Sequence, residues 1–343
     1  MLTGCSMPTS PSPGPLTTAF YVLRREPPAL LQLSPENKIL HEIPIAIPSG
    51  CAVDSVFAPP RGAQLAIQYE CAFGQAVVWL NTETGEARQP VTDSDSHFMA
   101  WARDGQFAYL KVDTVNRPHI VRAPLVGKPR YTPITELSYD LAPKPGSNSD
   151  FLFSFSRGMG LGSEMWYARS GGQVVQQVIA DAHNYISLAR WSPDGSKIAF
   201  IKIPDSRTPF TVGDLWVMQA DGSAARKLAD ADAGHGFAPA WSPDGSSLAF
   251  VVRENPGDLQ ADQNADALRS NIALFNLLTG TLSKLTQFQD GRAETPAWSP
   301  DGNRLAFSAV LNDKMTVYVV QTKSGEGQPV LSVPVCCPVW IQK

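Results

Sequence analysis

Several absences narrow the reading of this chain of 343 residues. No run of adjacent Lys or Arg exceeds two, as at Arg24-Arg25 and Arg226-Lys227, and the formal net charge is −4. The basic stripe that neutralises a phosphate backbone is therefore missing, and nucleic acid is not an expected partner. No apolar run approaches the roughly 18–20 residues that span a bilayer as a helix. Gly-x-Ser-x-Gly, the mark of a nucleophile elbow, is absent, as is a Gly-rich phosphate loop between a strand and a helix. The five cysteines contain no Cys-x-x-Cys pair, so no zinc pattern is expected and no cofactor is assigned.

What the chain has instead is repetition. Trp-Ser-Pro-Asp-Gly occurs at 191–195, 241–245 and 298–302, followed by Lys197-Ile198-Ala199-Phe200, Ser247-Leu248-Ala249-Phe250 and Arg304-Leu305-Ala306-Phe307. A weaker copy begins at Trp101 and runs through Asp104-Gly105. A motif recurring about every 40–50 residues marks a propeller or solenoid. Each copy reads as a hairpin. The strand ends on a large aromatic that seats between neighbouring sheets. Pro presets φ, Asp bonds its own backbone, and Gly takes a conformation closed to other residues. An apolar return strand follows, then a third strand such as Leu215-Trp216-Val217-Met218, a Gly turn, and an outer strand such as Arg226-Lys227-Leu228. Four strands per repeat make one propeller blade.

Degenerate units fill the first half, anchored at Phe57 and near Leu141, so six anchors are visible at 57, 101, about 141, 191, 241 and 298. The ends supply a seventh. Cys337-Pro338-Val339-Trp340 matches Thr295-Pro296-Ala297-Trp298, while Ala19–Leu23, Leu30–Leu33 and Ile39–Ile43 read as three strands lacking an inner one. Joining them completes a blade from both termini and removes free sheet edges. The expectation is an all-β propeller of seven four-stranded blades, six being the alternative, with the ring closed by the C-terminal strand on the N-terminal blade. Residues 18–343 form this single domain.

The string Pro-x-Trp-Ser-Pro-Asp-Gly-x-x-Leu-Ala-Phe resembles the TolB-like, WD-repeat-like β-propeller family of bacteria. The resemblance is strong over 186–343, recognisable over 51–185, and rests on closure for 18–50. It implies the fold directly and the function loosely, because the family includes envelope-complex subunits, stand-alone lipoproteins and the propeller domains of peptidases.

The N-terminus carries the compartment signal. Leu2-Thr3-Gly4-Cys5 looks like a lipobox, with Cys5 the acylated residue. Residues 6–17 are rich in Ser, Pro, Thr and Gly, as a tether off a membrane would be. Only Met1 and Leu2 precede Thr3-Gly4, so the charged start and apolar stretch such a signal needs would lie upstream, in the gene or in a trimmed piece. Residues 1–17 are read as lipobox and tether, and the protein as extracytoplasmic and lipid-anchored to the cell or outer membrane.

Cys51, Cys71, Cys336 and Cys337 fall at strand starts or return-strand ends on one face. If the ring closes as expected they meet at the seam between the first two blades. A bridge between adjacent residues is strained, which leaves Cys51–Cys336 with Cys71–Cys337, or the crossed alternative. Such bonds would fasten the last strand into the ring and require an oxidising compartment.

Candidate binding groups lie just before the inner strands. His97 is four residues ahead of Trp101, His235 six ahead of Trp241, His183 eight ahead of Trp191, Glu294 four ahead of Trp298 and Asp54 three ahead of Phe57. These positions ring the channel mouth. The related oligogalacturonate lyases share the repeat and use channel histidines to hold a divalent metal, which makes a carbohydrate-active enzyme the alternative reading; the unequal offsets here argue against three converging imidazoles. Asp194, Asp244 and Asp301 recur in every good blade on the opposite face and are read as turn residues. Residues 253–270 interrupt the blade anchored at Trp241 and carry Glu254, Asp258, Asp262 and Asp266; a shorter insertion, 203–213, sits one blade earlier. Long insertions on one face of a repeat protein often form its binding face. The expected function is a non-catalytic, monomeric scaffold that binds an envelope protein, peptide or glycan through the mouth and this rim.

Overall fold

The computed structural model describes residues 18–342 except 60, 61, 73, 89–96, 102–106, 113–117, 124–127, 129, 135–137, 148, 149, 157, 159, 170–173, 207–209 and 234–236, with the backbone alone at 97–100, 107–112, 118, 123, 139 and 174. Cys5, His235 and the turn of the weaker motif copy at 102–105 thus lie outside the described residues. The chain is an all-β propeller of seven four-stranded antiparallel sheets. The innermost strands are Cys336–Gln342, Cys51–Phe57, His97–Trp101, Ser138–Pro143, Asn184–Trp191, Ala240–Trp241 and Arg292–Trp298, one each for sheets one to seven.

Sheet one draws on both ends of the chain. Cys336–Gln342 pairs antiparallel with Thr18–Arg25, placing Phe20 opposite Trp340, and their rings stack with centroids 4.2 Å apart.

The recurring Leu-Ala-Phe has a packing reason. In sheets five, six and seven the second strand is covered on both faces, so its side chains read as a continuous apolar run rather than an alternating one. Ile198 and Phe200 pack toward sheet four, whereas Ala199 and Ile201 pack toward sheet six. Leu248 and Phe250 likewise meet sheet five and Ala249 meets sheet seven. Leu305 and Phe307 meet sheet six while Ala306 meets sheet one. In these three copies the Leu or Ile and the Phe of the motif point back to the preceding sheet and the alanine between them points forward, letting the next sheet approach closely. Seven apolar clusters arise this way, one per seam, including that of sheet seven with sheet one.

The motif turns repeat atom for atom. Ser192 Oγ donates to Asp194 Oδ1 at 2.6 Å, and the Ser196 and Lys197 amides donate to Asp194 Oδ1 and Ser192 Oγ. Ser242–Asp244 and Ser299–Asp301 do the same. Gly195, Gly245 and Gly302 sit at φ of 69°, 70° and 71°, the left-handed region glycine enters freely.

These bonds favour the charged carboxylate. The Ser192 hydroxyl, with the Ser196 amide and hydroxyl, holds Asp194 down at about 2, and the equivalent serine hydroxyls lower Asp244 and Asp301. A carboxyl depressed in the folded state stabilises the fold above its unfolded pKa and loses that contribution as pH falls through the folded one. The thermal midpoint should therefore drop between about pH 4 and pH 2. A variant carrying Asp194→Asn, Asp244→Asn and Asp301→Asn should start lower at neutral pH and fall less across that window, read by melting curves at stepped pH.

Candidate functional site

The channel has two chemically different ends. We call upper the face on which the inner strands start and lower the face on which they end.

On the lower face the motif tryptophans form a girdle. Trp101 Nε1 donates to the Phe57 carbonyl at 3.2 Å, Trp191 to Ala142 at 3.0 Å, Trp241 to Arg190 at 2.9 Å, Trp298 to Ala240 at 3.0 Å and Trp340 to Ala297 at 3.2 Å. Each indole thus ties its inner strand to that of the preceding sheet. Sheets two and four carry Phe57 and Pro143 at this place and have no indole to donate. At the seam of sheets one and two the Gly62 amide donates to the Gln342 carbonyl instead, at 3.0 Å. Inside the girdle lies a cavity of about 530 Å³ lined by Trp101, Trp191, Trp298 and Trp340 with apolar neighbours and Arg190.

The upper end is polar. Asp54 accepts from Ser55 Oγ at 2.9 Å and Gln68 Nε2 at 3.3 Å, both within its own sheet. Glu294 is buried and accepts from Arg292 Nε at 2.7 Å. His183 is exposed in the turn before its inner strand, with its amide on Asp181 Oδ1. The side chain of His97 is outside the described residues. The side chains of Asp54 and Glu294 each bond partners of their own sheet. Among the described residues no three His, Cys, Asp or Glu side chains are grouped to hold a metal ion.

Asp140, which the sequence reading passed over, is buried beside this channel. Its Oδ2 accepts the Ala189 amide at 2.7 Å, and Arg190 Nη1 stands 3.8 Å from Oδ1. Burial pushes its carboxyl above the ordinary range against that pull. A signal existed: Asp140 stands three residues ahead of Pro143, as Asp54 stands three ahead of Phe57.

The four cysteines gather in one cluster between sheets one and two, as expected. Their pairing differs. Cys51 bonds Cys71, and Cys336 bonds Cys337. The reason for the first is register: Cys51 and Cys71 are direct partners across one hairpin, their Cα atoms 3.9 Å apart. The second is the adjacent bridge that had been set aside. Cys337 adopts φ of 59°, one of three such inner-strand residues, with Leu188 and Thr295, three places ahead of a motif tryptophan. This irregular backbone is the departure from a regular strand that the argument from adjacency did not foresee. Neither bridge crosses from sheet one to sheet two.

The four rim carboxylates are spoken for. Arg253, with its side chain 1% exposed, donates to Asp232 Oδ1 at 3.0 Å and to Asp262 Oδ1 at 2.9 Å. Its Nη1 also reaches the Phe210 carbonyl at 3.4 Å, and the Phe210 amide donates to the Asp262 carbonyl at 3.2 Å. The two insertions are thereby knitted together. Asp258 caps the turn at Gln260 and Ala261, Glu254 pairs with Lys284 at 2.6 Å, and Asp266, 87% exposed, faces Arg292 at 3.4 Å. The spacing of four that could have suited Ca²⁺ instead serves these separate contacts.

No protein-family model matches the chain, and no curated protein matches it. Solved structures do. TolB from Acinetobacter baumannii superposes with a TM-score of 0.54 at 16% identity, over 92% of this chain and 79% of that one. An oligogalacturonate lyase in complex with manganese gives 0.59 at 16% identity, over 92% and 84%. A puromycin-hydrolysing peptidase from Mycobacterium tuberculosis gives 0.63 at 13% identity, over 93% of this chain and 54% of that one. At such identities the likeness is one of fold.

Proposed function

We propose that the chain is a seven-bladed ring closed by its last strand, tethered outside the cytoplasmic membrane through Cys5 and residues 6–17, and that it works as a binding scaffold without chemistry of its own. Its contact surface is the upper face: the mouth with Asp54, His97, His183, His235 and Glu294, and the rim of 203–213 and 253–270. The partner class is an envelope protein, peptide or glycan. One observation carries this reading. A buried guanidinium fixes two insertions of neighbouring sheets as one rigid ledge, and a preorganised surface loses less entropy on binding.

The ledge presents Leu259, 80% exposed, at its tip. Leu259→Glu combined with Asp266→Lys changes the charge and polarity of that surface with little effect on the fold. Envelope extracts passed over the immobilised protein should lose the bound species with this variant, while the melting midpoint stays within a degree or two. Undiminished recovery would move the contact surface elsewhere. Mass spectrometry of the mature N-terminus from the native host should find an acylated Cys5.

The fold likeness to a manganese-bound lyase keeps one alternative in view, a carbohydrate-active channel. Incubation with oligogalacturonate and Mn²⁺ should give no rise in the ultraviolet absorbance of an unsaturated uronate; a rise abolished by His183→Ala or His97→Ala would replace the scaffold reading.

A further inference from the structure

We propose that the proline-rich N-terminal segment of this same chain, residues 7–17, docks in the indole-lined lower mouth. The inference does not depend on the upper face or on lipidation.

The first ground is where the segment joins the fold. Thr18 lies opposite Gln342, Ala19 opposite Ile341 and Phe20 opposite Trp340, and Trp340 is itself part of the mouth lining. The chain therefore enters sheet one at the edge of the cavity. Gln342 also accepts the Gly62 amide across the neighbouring seam, which fixes that edge to sheet two.

The second ground is what the mouth can recognise. The Nε1–H groups of Trp101, Trp191, Trp298 and Trp340 are already spent on carbonyls of the preceding sheets. Pro59, Pro143, Pro145 and Pro338 complete much of the lining, and no acid is among the lining residues. The surface offers rings and hydrocarbon, with the half-exposed Arg190 guanidinium as its charged donor. A fitting ligand is apolar, has few N–H groups to leave unpaired, and arrives already stiff. Pro8, Pro11, Pro13 and Pro15 give residues 8–15 that character. Proline has no amide hydrogen, and a polyproline II stretch is preformed and docks on aromatic-lined grooves. The cavity volume falls within the range of sites that hold small ligands.

The third ground is tethering. Only residues 16 and 17 separate Pro15 from Thr18. A short linker presents its segment at an effective concentration on the order of millimolar, so even a millimolar intrinsic affinity fills the mouth about half of the time.

The test uses the full chain with Cys5→Ser, and the same chain with Pro8→Ala, Pro11→Ala, Pro13→Ala and Pro15→Ala. Indole N–H resonances are recorded for both by ¹H–¹⁵N NMR. The four substitutions should shift the signals of Trp101, Trp191, Trp298 and Trp340 and leave Trp79 and Trp216, on third strands, in place. A synthetic peptide of residues 6–17 added to the alanine variant should restore the original positions. The same peptide should bind the unsubstituted chain about two-fold more weakly or worse, because the attached segment competes. Unmoved indoles in the alanine variant would overturn the proposal, as would equal affinity of the peptide for both chains. The second result would assign the mouth to a separate proline-rich partner.

Discussion

Arg253→Ala should destabilise the protein by about 3–5 kcal/mol, because it removes the cation from a buried ion pair. Arg253 and Asp232 each keep 1% of their side-chain surface in contact with solvent, and Asp262 keeps 19%. With the guanidinium gone, the buried Asp232 carboxylate loses the cation that offsets its charge, which favours uptake of a proton. The expected signature follows from linkage: the folded-state pKa of Asp232 rises above its unfolded value, so the deficit is smallest in acid and grows as pH climbs through the new pKa. Urea unfolding at pH 5 and pH 8 separates this from a simple loss of packing, which is indifferent to pH. Arg253→Met with Asp232→Leu removes both charges of the core pair and should recover most of the stability. It should not recover the ledge, since the Arg253 hydrogen bonds to Asp262 and the Phe210 carbonyl are not replaced. Limited proteolysis should then cut within 254–268 faster than in the parent. If the double substitution protects that segment as well as arginine does, the guanidinium does not hold the ledge.

The second large effect belongs to the girdle. Trp191 is 7% exposed, stacks edge-on against Tyr167 with centroids 5.7 Å apart, and bonds the Ala142 carbonyl. Trp191→Ala removes ring and donor together and should cost about 3–5 kcal/mol. Trp191→Phe keeps most of the apolar area but leaves the carbonyl unmet, which should cost about 1–3 kcal/mol. If phenylalanine proves neutral, water reaches that carbonyl and the indole bond contributes nothing to the seam. Sheet two already carries Phe57 at this place, so Phe57→Trp is the reciprocal substitution.

The inner, second and third strands of sheets five to seven were legible because their signals are local, whereas Pro118–Ala123, Arg130–Pro133 and Val174–Asp181 carry no such motif and were not read. Trp-Ser-Pro-Asp-Gly specifies a turn within five residues, and the Leu-Ala-Phe run records burial on both faces. The meeting of both termini in one sheet was legible for a related reason: Trp340 repeats the context of Trp298 but has no hairpin after it. The sulfur pairing was not legible, since it depends on register. Cys51 opposite Cys71 follows from an inner-strand irregularity that shifts the alignment between Val53 and Ser55, and no residue type announces it. The rim carboxylates were found but misjudged. Their spacing said nothing of Arg253, whose partner Asp232 lies 21 residues away on another sheet. The girdle was half seen: the aromatic was expected between sheets, while its donor to the neighbouring backbone was not.

After sheets five, six and seven the seam joins an alanine-bearing face to one carrying larger apolar side chains, two unlike surfaces. Such head-to-tail contacts have a sense of rotation, and nothing in one seam says when to stop. One sheet is split, part contributed by Thr18–Arg25, Pro28–Leu33 and Ile39–Pro44 and part by Cys336–Gln342. The early half waits with a bare edge and an uncovered flank until Trp340 arrives. A nascent chain that has not yet made Cys336–Gln342 therefore offers the edge of Thr18–Arg25 to other copies of itself.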